Sequence, residues 1–200
     1  MSTYHVSKNG NDKNAGTVEN PFLTISHAAK IAEEGDTVIV HSGVYRECVT
    51  PAHGARNEMG RITYTVAEGE HAVIKGSEEV HGWTREGTIW YAKINNSIFG
   101  TLNPYAEEID GDWMQKPLDH KRHTGTVYLD GEALIEASTL EELAENEMQW
   151  FAQVLDDITV IYANFGAKDP NASLAEINVR RSCFYPEKTG VDYITVRGFE

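Results

Sequence analysis

The sequence predicts a mainly β protein: the start of a β-solenoid behind an N-terminal capping helix, interrupted by an inserted antiparallel β-sandwich. Three observations carry this expectation. Short β-branched runs bracketed by turn residues recur in residues 35–47, 61–66, 72–76 and 192–199. A strand whose apolar side only a similar strand can cover implies stacked coils. Thr37 and Ile62 lie 25 positions apart, a spacing that fits one coil of roughly 20 to 50 residues. A further coil is expected near residue 87, but the pattern resumes only at Tyr193, and the stretch between has a different character. It holds all four tryptophans, Trp83, Trp90, Trp113 and Trp150, among strands joined by ordinary hairpin turns.

Taken in order, Tyr4-His5-Val6-Ser7 is a brief alternating strand, and residues 8–17 are a polar, turn-rich loop. With Asp12 as its single carboxylate, that loop does not match a cage of oxygen ligands and reads as a solvated turn. Thr24 is the expected N-cap of a helix whose small or apolar Ile25, Ala28, Ala29 and Ala32 share one face, with Gly35 as its C′ residue. Such a helix would cover the open end of the first rung. In the insert, residues 87–94, 125–132 and 149–154 read as strands, and Leu155-Asp156-Asp157 turns into residues 158–163 to close a hairpin. Thr139-Leu140-Glu141-Glu142 is a capping box that opens a helix through about Asn146. The expected organisation is 1–81 for the cap and first coils, 82–186 for the insert, and 187–200 for the resumed solenoid. A solenoid without a C-terminal cap reads as the front of a longer protein.

With 200 residues, 40% of them apolar, the chain can bury a real core. No window approaches the roughly 18 apolar residues of a membrane span, and no leader pattern opens the chain, so a cytoplasmic protein is expected. Cys48 and Cys183 read as buried small hydrophobes rather than a bridge or a metal pair. A net charge of −14 repels polyphosphate, so nucleic acid is not an expected partner.

The densest chemistry lies in residues 99–114, a loop with four carboxylates and three aromatic rings. Glycoside hydrolysis needs two carboxyl groups flanking the scissile bond, and sugars stack on aromatic rings. Asp110, Asp112 and Glu108 have the right chemistry for that role, while Glu107 and Glu108 read first as solvated surface charges. Trp90 and Trp150 sit in strand runs and read as core. Trp113, in an Asp-Gly-Asp-Trp loop, has two open readings, a sugar platform or a plug at a domain junction. His120-Lys121-Arg122-His123 reads as a surface turn rather than a metal pair, and Asn171-Ala172-Ser173 is a glycosylation acceptor only in a secreted protein.

Residues 6–12, the runs NPFLTISHAA, GDTVIVHSGVYRE and RITYTVAEGEHAVIKGSE resemble the N-terminal portion of right-handed parallel β-helix proteins of carbohydrate metabolism. The runs FGTLNPYAEEIDGDWM and FYPEKTGVDYITVRGF are similar, more narrowly, to the glycoside hydrolase family 120 β-xylosidases. The resemblance implies a right-handed parallel β-helix and an enzyme that removes xylose from xylo-oligosaccharides with retention, as in xylan degradation. Its Asp nucleophile and Glu acid/base would lie on coils beyond residue 200, so this stretch alone would be inactive. Trp113, with Asp112 and Tyr105, is the implied sugar-contacting group. The partner expected is a xylo-oligosaccharide, with no cofactor, metal, nucleic acid or membrane, and the full-length protein is free to form a homo-oligomer. A β-helix polysaccharide lyase, or a non-catalytic carbohydrate-binding or assembly module, are the alternatives.

Overall fold

The computed structural model describes residues 1–111 and 121–200. In chain order, β1 (Thr3–Val6), α1 (Ile25–Ile31), β2 (Thr37–Val40), β3 (Gly43–Arg46), β4 (Ile62–Val66) and β5 (Ala72–Lys75) come first. Then follow β6 (Ser77–Glu79), β7 (Thr84–Glu86), β8 (Ile89–Asn95), β9 (Val127–Leu129), β10 (Glu132–Ala133) and β11 (Ile135–Glu136). Helix α2 (Leu140–Glu145), β12 (Gln149–Val154), β13 (Ile158–Asn164), β14 (Ala175–Asn178) and β15 (Ile194–Arg197) complete the chain. The molecule divides into two compact units, Met1–Gly76 with Ser182–Glu200, and Ser77–Arg181.

In the first unit the strands stack in parallel in the order β1-β2-β4-β15, and β3 pairs in parallel with β5. Alternation decides which side chains go inside. Val38, Val40, Ile62 and Tyr64 are fully buried, while their neighbours Thr37, Ile39 and Thr63 face outward and are half-buried. Thr37 pairs with Thr63, one residue beyond the 25-residue spacing, and Ile62 pairs with Ile194 across the whole insert. The brief strand at the N-terminus is itself part of the parallel sheet, because β1 lies in register on β2, with Val6 opposite Val40.

Helix α1 buries Ile25, Ala28 and Ala29 in the same core as Val38 and Tyr64. Its first N–H groups have no partners within the helix and need outside acceptors. Thr24 caps His27 N–H, and the Glu47 carboxylate takes the N–H groups of Ile25 and Ser26 at 3.1 and 2.7 Å. Asp12 takes the N–H groups of Leu23 and Thr24 and the Thr24 hydroxyl, each at 2.9 Å. Asp12 is therefore a clamp on the helix entry rather than a solvated turn residue. Burial alone would raise its carboxyl, but the bonds from Thr24 and Leu23 outweigh this and hold it below the usual aspartate value. The helix stops at Ile31 with Ala32 as C-cap, so Gly35 is not its C′ residue. Gly35 instead takes φ +86° in the turn before β2 and donates its N–H to Gly60 O at 2.8 Å.

The second unit has two sheets, β11-β12-β13-β8-β7 and β10-β9-β14-β6. Residues of both, including Trp90, Trp150 and Ile161 from one and Leu129 and Ile177 from the other, share a single core. The hairpin β12–β13 forms as expected, with Val154 opposite Thr159. The unit is not purely antiparallel, because β11 runs parallel to β12. It also starts and ends five residues earlier than the sequence suggested. Ser77 already pairs with Asn178 on β14 and donates its hydroxyl to buried Glu176 at 2.9 Å, whereas Phe184 bridges in parallel to Val49 of the other unit. Helix α2 starts as predicted, Thr139 Oγ1 capping Glu142 N–H at 3.1 Å while the Glu142 carboxylate accepts from Ser138 N–H at 2.7 Å. Asn171, in the acceptor-like tripeptide, brackets the backbone of Trp83 through both ends of its amide, at 2.9 Å each.

Candidate functional site

The acidic loop grows out of β8 in the second unit. Asn95 caps the 3-10 turn Asn96–Phe99, and Asn103 then organises the next turn. The Asn103 side chain donates to Thr159 Oγ1 at 2.8 Å and accepts from Tyr105 N–H at 3.0 Å, while its carbonyl takes the N–H groups of Ala106 and Glu107. This turn drives Tyr105 into the core. The phenol is 2% exposed, meets Trp150 edge-on at 5.3 Å between centroids, and places its hydroxyl 2.8 Å from Thr126 O and 3.2 Å from Asn178 Oδ1. A side chain on Gly125 would collide with that ring, since its Cβ would stand 2.5 Å from Tyr105 Cδ1. Burial pushes the Tyr105 phenol well above its ordinary value, so it stays a neutral hydrogen-bonding group.

Beyond Tyr105 the chain is held against residues 121–124 as a pair of arms. Ile109 N–H donates to Arg122 O at 2.7 Å and Thr124 N–H to Glu107 O at 3.0 Å, with an antiparallel bridge between Glu108 and His123. The carboxylates lock these arms. Glu107 accepts from Thr124 Oγ1 at 2.8 Å, and Glu108 meets Lys121 Nζ at 2.5 Å. His123 and Arg122 tie the second arm to the sheet, His123 Nδ1 lying 2.6 Å from Glu136 Oε1 and Arg122 bonding the Glu136 carbonyl. Residues 121–123 are thus not the surface turn the sequence suggested but a bridged, partly buried arm, while His120 lies outside the described residues. Among the described residues no group of three or more His, Cys, Asp or Glu could hold a metal ion.

At the foot of the arms is a cavity of about 260 Å³ lined by Leu102, Pro104, Glu107, Thr124, Asn178 and Arg181, among others. Of the expected sugar-contacting residues, Trp113 and Asp112 lie outside the described residues. Tyr105 is corrected from a contact to a support, because a ring enclosed by Trp150, Phe99 and Gly125 offers no open face to a sugar. Asp110 accepts from the N–H of Gly111 at 2.7 Å, and Glu108 is spoken for by Lys121. Trp90 and Trp150 are core, 8% and 2% exposed, as their strand positions suggested. Reading by residue type missed Asn103, Asn178 and Glu136. Only the Asn103-Pro104 step, a common turn opener, signalled any of them.

Among the described residues no helix is long and apolar enough to cross a membrane. Residues 80–149 match the family described as glycoside hydrolase 120, insertion domain. A solved structure described as XylC in complex with xylose is 47% identical, covers 98% of this chain and superposes with a TM-score of 0.94. The chain spans 34% of the length of that structure. The uncharacterised protein YwoF of Bacillus subtilis (strain 168) is 40% identical over 72 residues, which is 36% of this chain and 15% of that protein. The stretch that carries the arms and the acidic loop is thus one that matches a glycoside hydrolase insertion domain.

Proposed function

We propose that this chain is the N-terminal part of a retaining β-xylosidase of glycoside hydrolase family 120, which releases xylose from the non-reducing end of xylo-oligosaccharides. The observation that carries the reading is the 47% identity, over 98% of this chain, to XylC, whose solved structure holds xylose. In this reading the first unit is the opening of a right-handed parallel β-helix whose later coils bear the Asp nucleophile and the Glu acid/base. A retaining mechanism places two such carboxyl groups about 5 Å apart across the bond. The insert supplies a wall of the pocket, with Trp113 stacking on the sugar and Asp112 bonding its hydroxyls. The arms fixed by Glu107, Glu108 and Tyr105 carry that stretch.

The full-length protein should release xylose from xylobiose and from aryl β-xylosides with retained anomeric configuration; absence of xylose would sink the reading. In the same enzyme Trp113→Ala should raise KM for xylobiose several-fold with an unchanged thermal midpoint. Unaltered kcat and KM would remove Trp113 from the site, whatever the substrate.

A further inference from the structure

We propose that Cys48 and Cys183 form a reversible disulfide that staples the coil before the insert to the coil after it. The two residues are 135 positions apart in sequence, yet each immediately precedes a residue of one parallel bridge. Val49 and Phe184 form a parallel bridge in which Val49 N–H donates to Cys183 O and Tyr185 N–H to Val49 O, both at 2.9 Å. That register sets the preceding residues, Cys48 and Cys183, opposite one another. Adjacent parallel strands lie roughly 4.8 Å apart, inside the roughly 4.4 to 6.8 Å between Cα atoms that a disulfide spans. Neighbouring residues of a strand point to opposite faces. Val49 is fully buried, both cysteines are half-buried and carry free thiols, and Cys183 packs against the edge of the core that holds Val49.

The surroundings give an oxidant access. Cys48 lines a cavity of about 430 Å³ together with Lys30 and Lys188, whose charges suit an anionic small-molecule disulfide such as glutathione disulfide. Glu187 is the one opposing charge in that lining. In the first step the Cys48 thiolate attacks one sulfur of the oxidant, forming a mixed disulfide and releasing one glutathione thiolate. The Cys183 thiolate then attacks the Cys48 sulfur, expelling the second. Two protein thiols lose two electrons and two protons, and the oxidant gains them. The new bond closes a loop that holds residues 49–182, so it restrains the unfolded chain across the entire insert.

The test is titration of the native full-length protein with glutathione disulfide, followed by peptide mapping without reductant. The expected product is one peptide pair joined through Cys48 and Cys183, without retained glutathione and reversed by dithiothreitol. The oxidised protein should melt several degrees higher than the reduced one. Cys48→Ser and Cys183→Ser should each stop at one glutathione on the cysteine that remains. Stable glutathione on either residue of the unmodified sequence, or two thiols that stay unreacted in the folded protein, would overturn the proposal.

Discussion

The cores of the two units are built from different side chains. In the first, Val, Ile and Ala dominate, and the parallel ladder sets Val38 against Tyr64 and Val40 against Val66 in successive rungs. In the second, Trp83, Trp90, Trp150, Phe99, Tyr105 and Phe165 fill the space between two sheets. Stacked rungs stand only about 4.8 Å apart, so each rung has room for one compact layer. Two sheets facing one another leave a gap of about 10 Å, which aromatic rings fill best edge to face. Trp83 on Phe165 and Tyr105 on Trp150 do this at 89° and 87°. The stacked strands thus pack mostly Val, Ile and Ala around Phe22, Tyr45 and Tyr64, whereas the facing sheets enclose a larger share of aromatic rings.

That contrast predicts unequal sensitivity to truncation. Trp150→Ala should remove about 3–5 kcal/mol from the second unit, since a buried indole leaves a hole the sheets cannot close. Val38→Ala should cost the first unit about 2 kcal/mol, the value of two buried methyl-sized groups. Native-state hydrogen exchange reads each unit separately, through amides of β13 for one and β2 for the other. Equal losses at the two sites would break the comparison.

At Tyr105 the aromatic core reaches up to the acidic loop. Tyr105→Phe keeps the ring against Trp150 but takes the phenol hydroxyl away from the Thr126 carbonyl and Asn178 Oδ1, which keep Asn178 N–H at 3.2 Å and Thr126 N–H at 2.6 Å as partners. The expected cost is about 1 kcal/mol, with faster amide exchange at Ile109 and Thr124 and little change at β13. If β13 loosened as much as the arms, Tyr105 would be simple core filling and not the anchor of the loop.

These differences also explain what could be read from residues alone. The short parallel strands, helix α1 and the β12–β13 hairpin follow from local periodicity and turn chemistry, which act within a few neighbouring residues. The pairing of Ile62 with Ile194, by contrast, is set by stacking across the insert, and only the recurrence of the strand pattern hinted at it. The role of β1 was hidden because a four-residue strand looks the same at a sheet edge as in a loop. In the candidate site, the carboxylates of the loop were visible, but their partners Thr124 and Lys121 were not, since arms meet through tertiary folding. Tyr105 stood in the same loop as Trp113, and nothing in the sequence says that the Asn103 turn carries it inward.

The smallest effect expected separates the rungs by pH. On the first unit, His5 Nδ1 lies 3.0 Å from His41 Nε2 with the rings stacked, and His41 Nδ1 lies 2.8 Å from Glu70 Oε1. With Glu70 taking one His41 proton, the two facing nitrogens can share at most one more. Burial first, and the His41 ring second, hold His5 below the ordinary histidine value of about 6.5, against a weaker opposing pull from Glu19. A depressed histidine favours its neutral form in the folded state, so the contribution is complete above pH of about 6.5 and is lost as pH falls through the lowered folded-state value. The thermal midpoint should therefore drop more steeply from pH 7.5 to 5 in the unmodified protein than in His5→Gln, which cannot take up the proton. The aromatic second unit should show no such difference in its own exchange rates. Identical slopes in both proteins would mean that the stacked imidazoles do not set the acid limit of the parallel sheet.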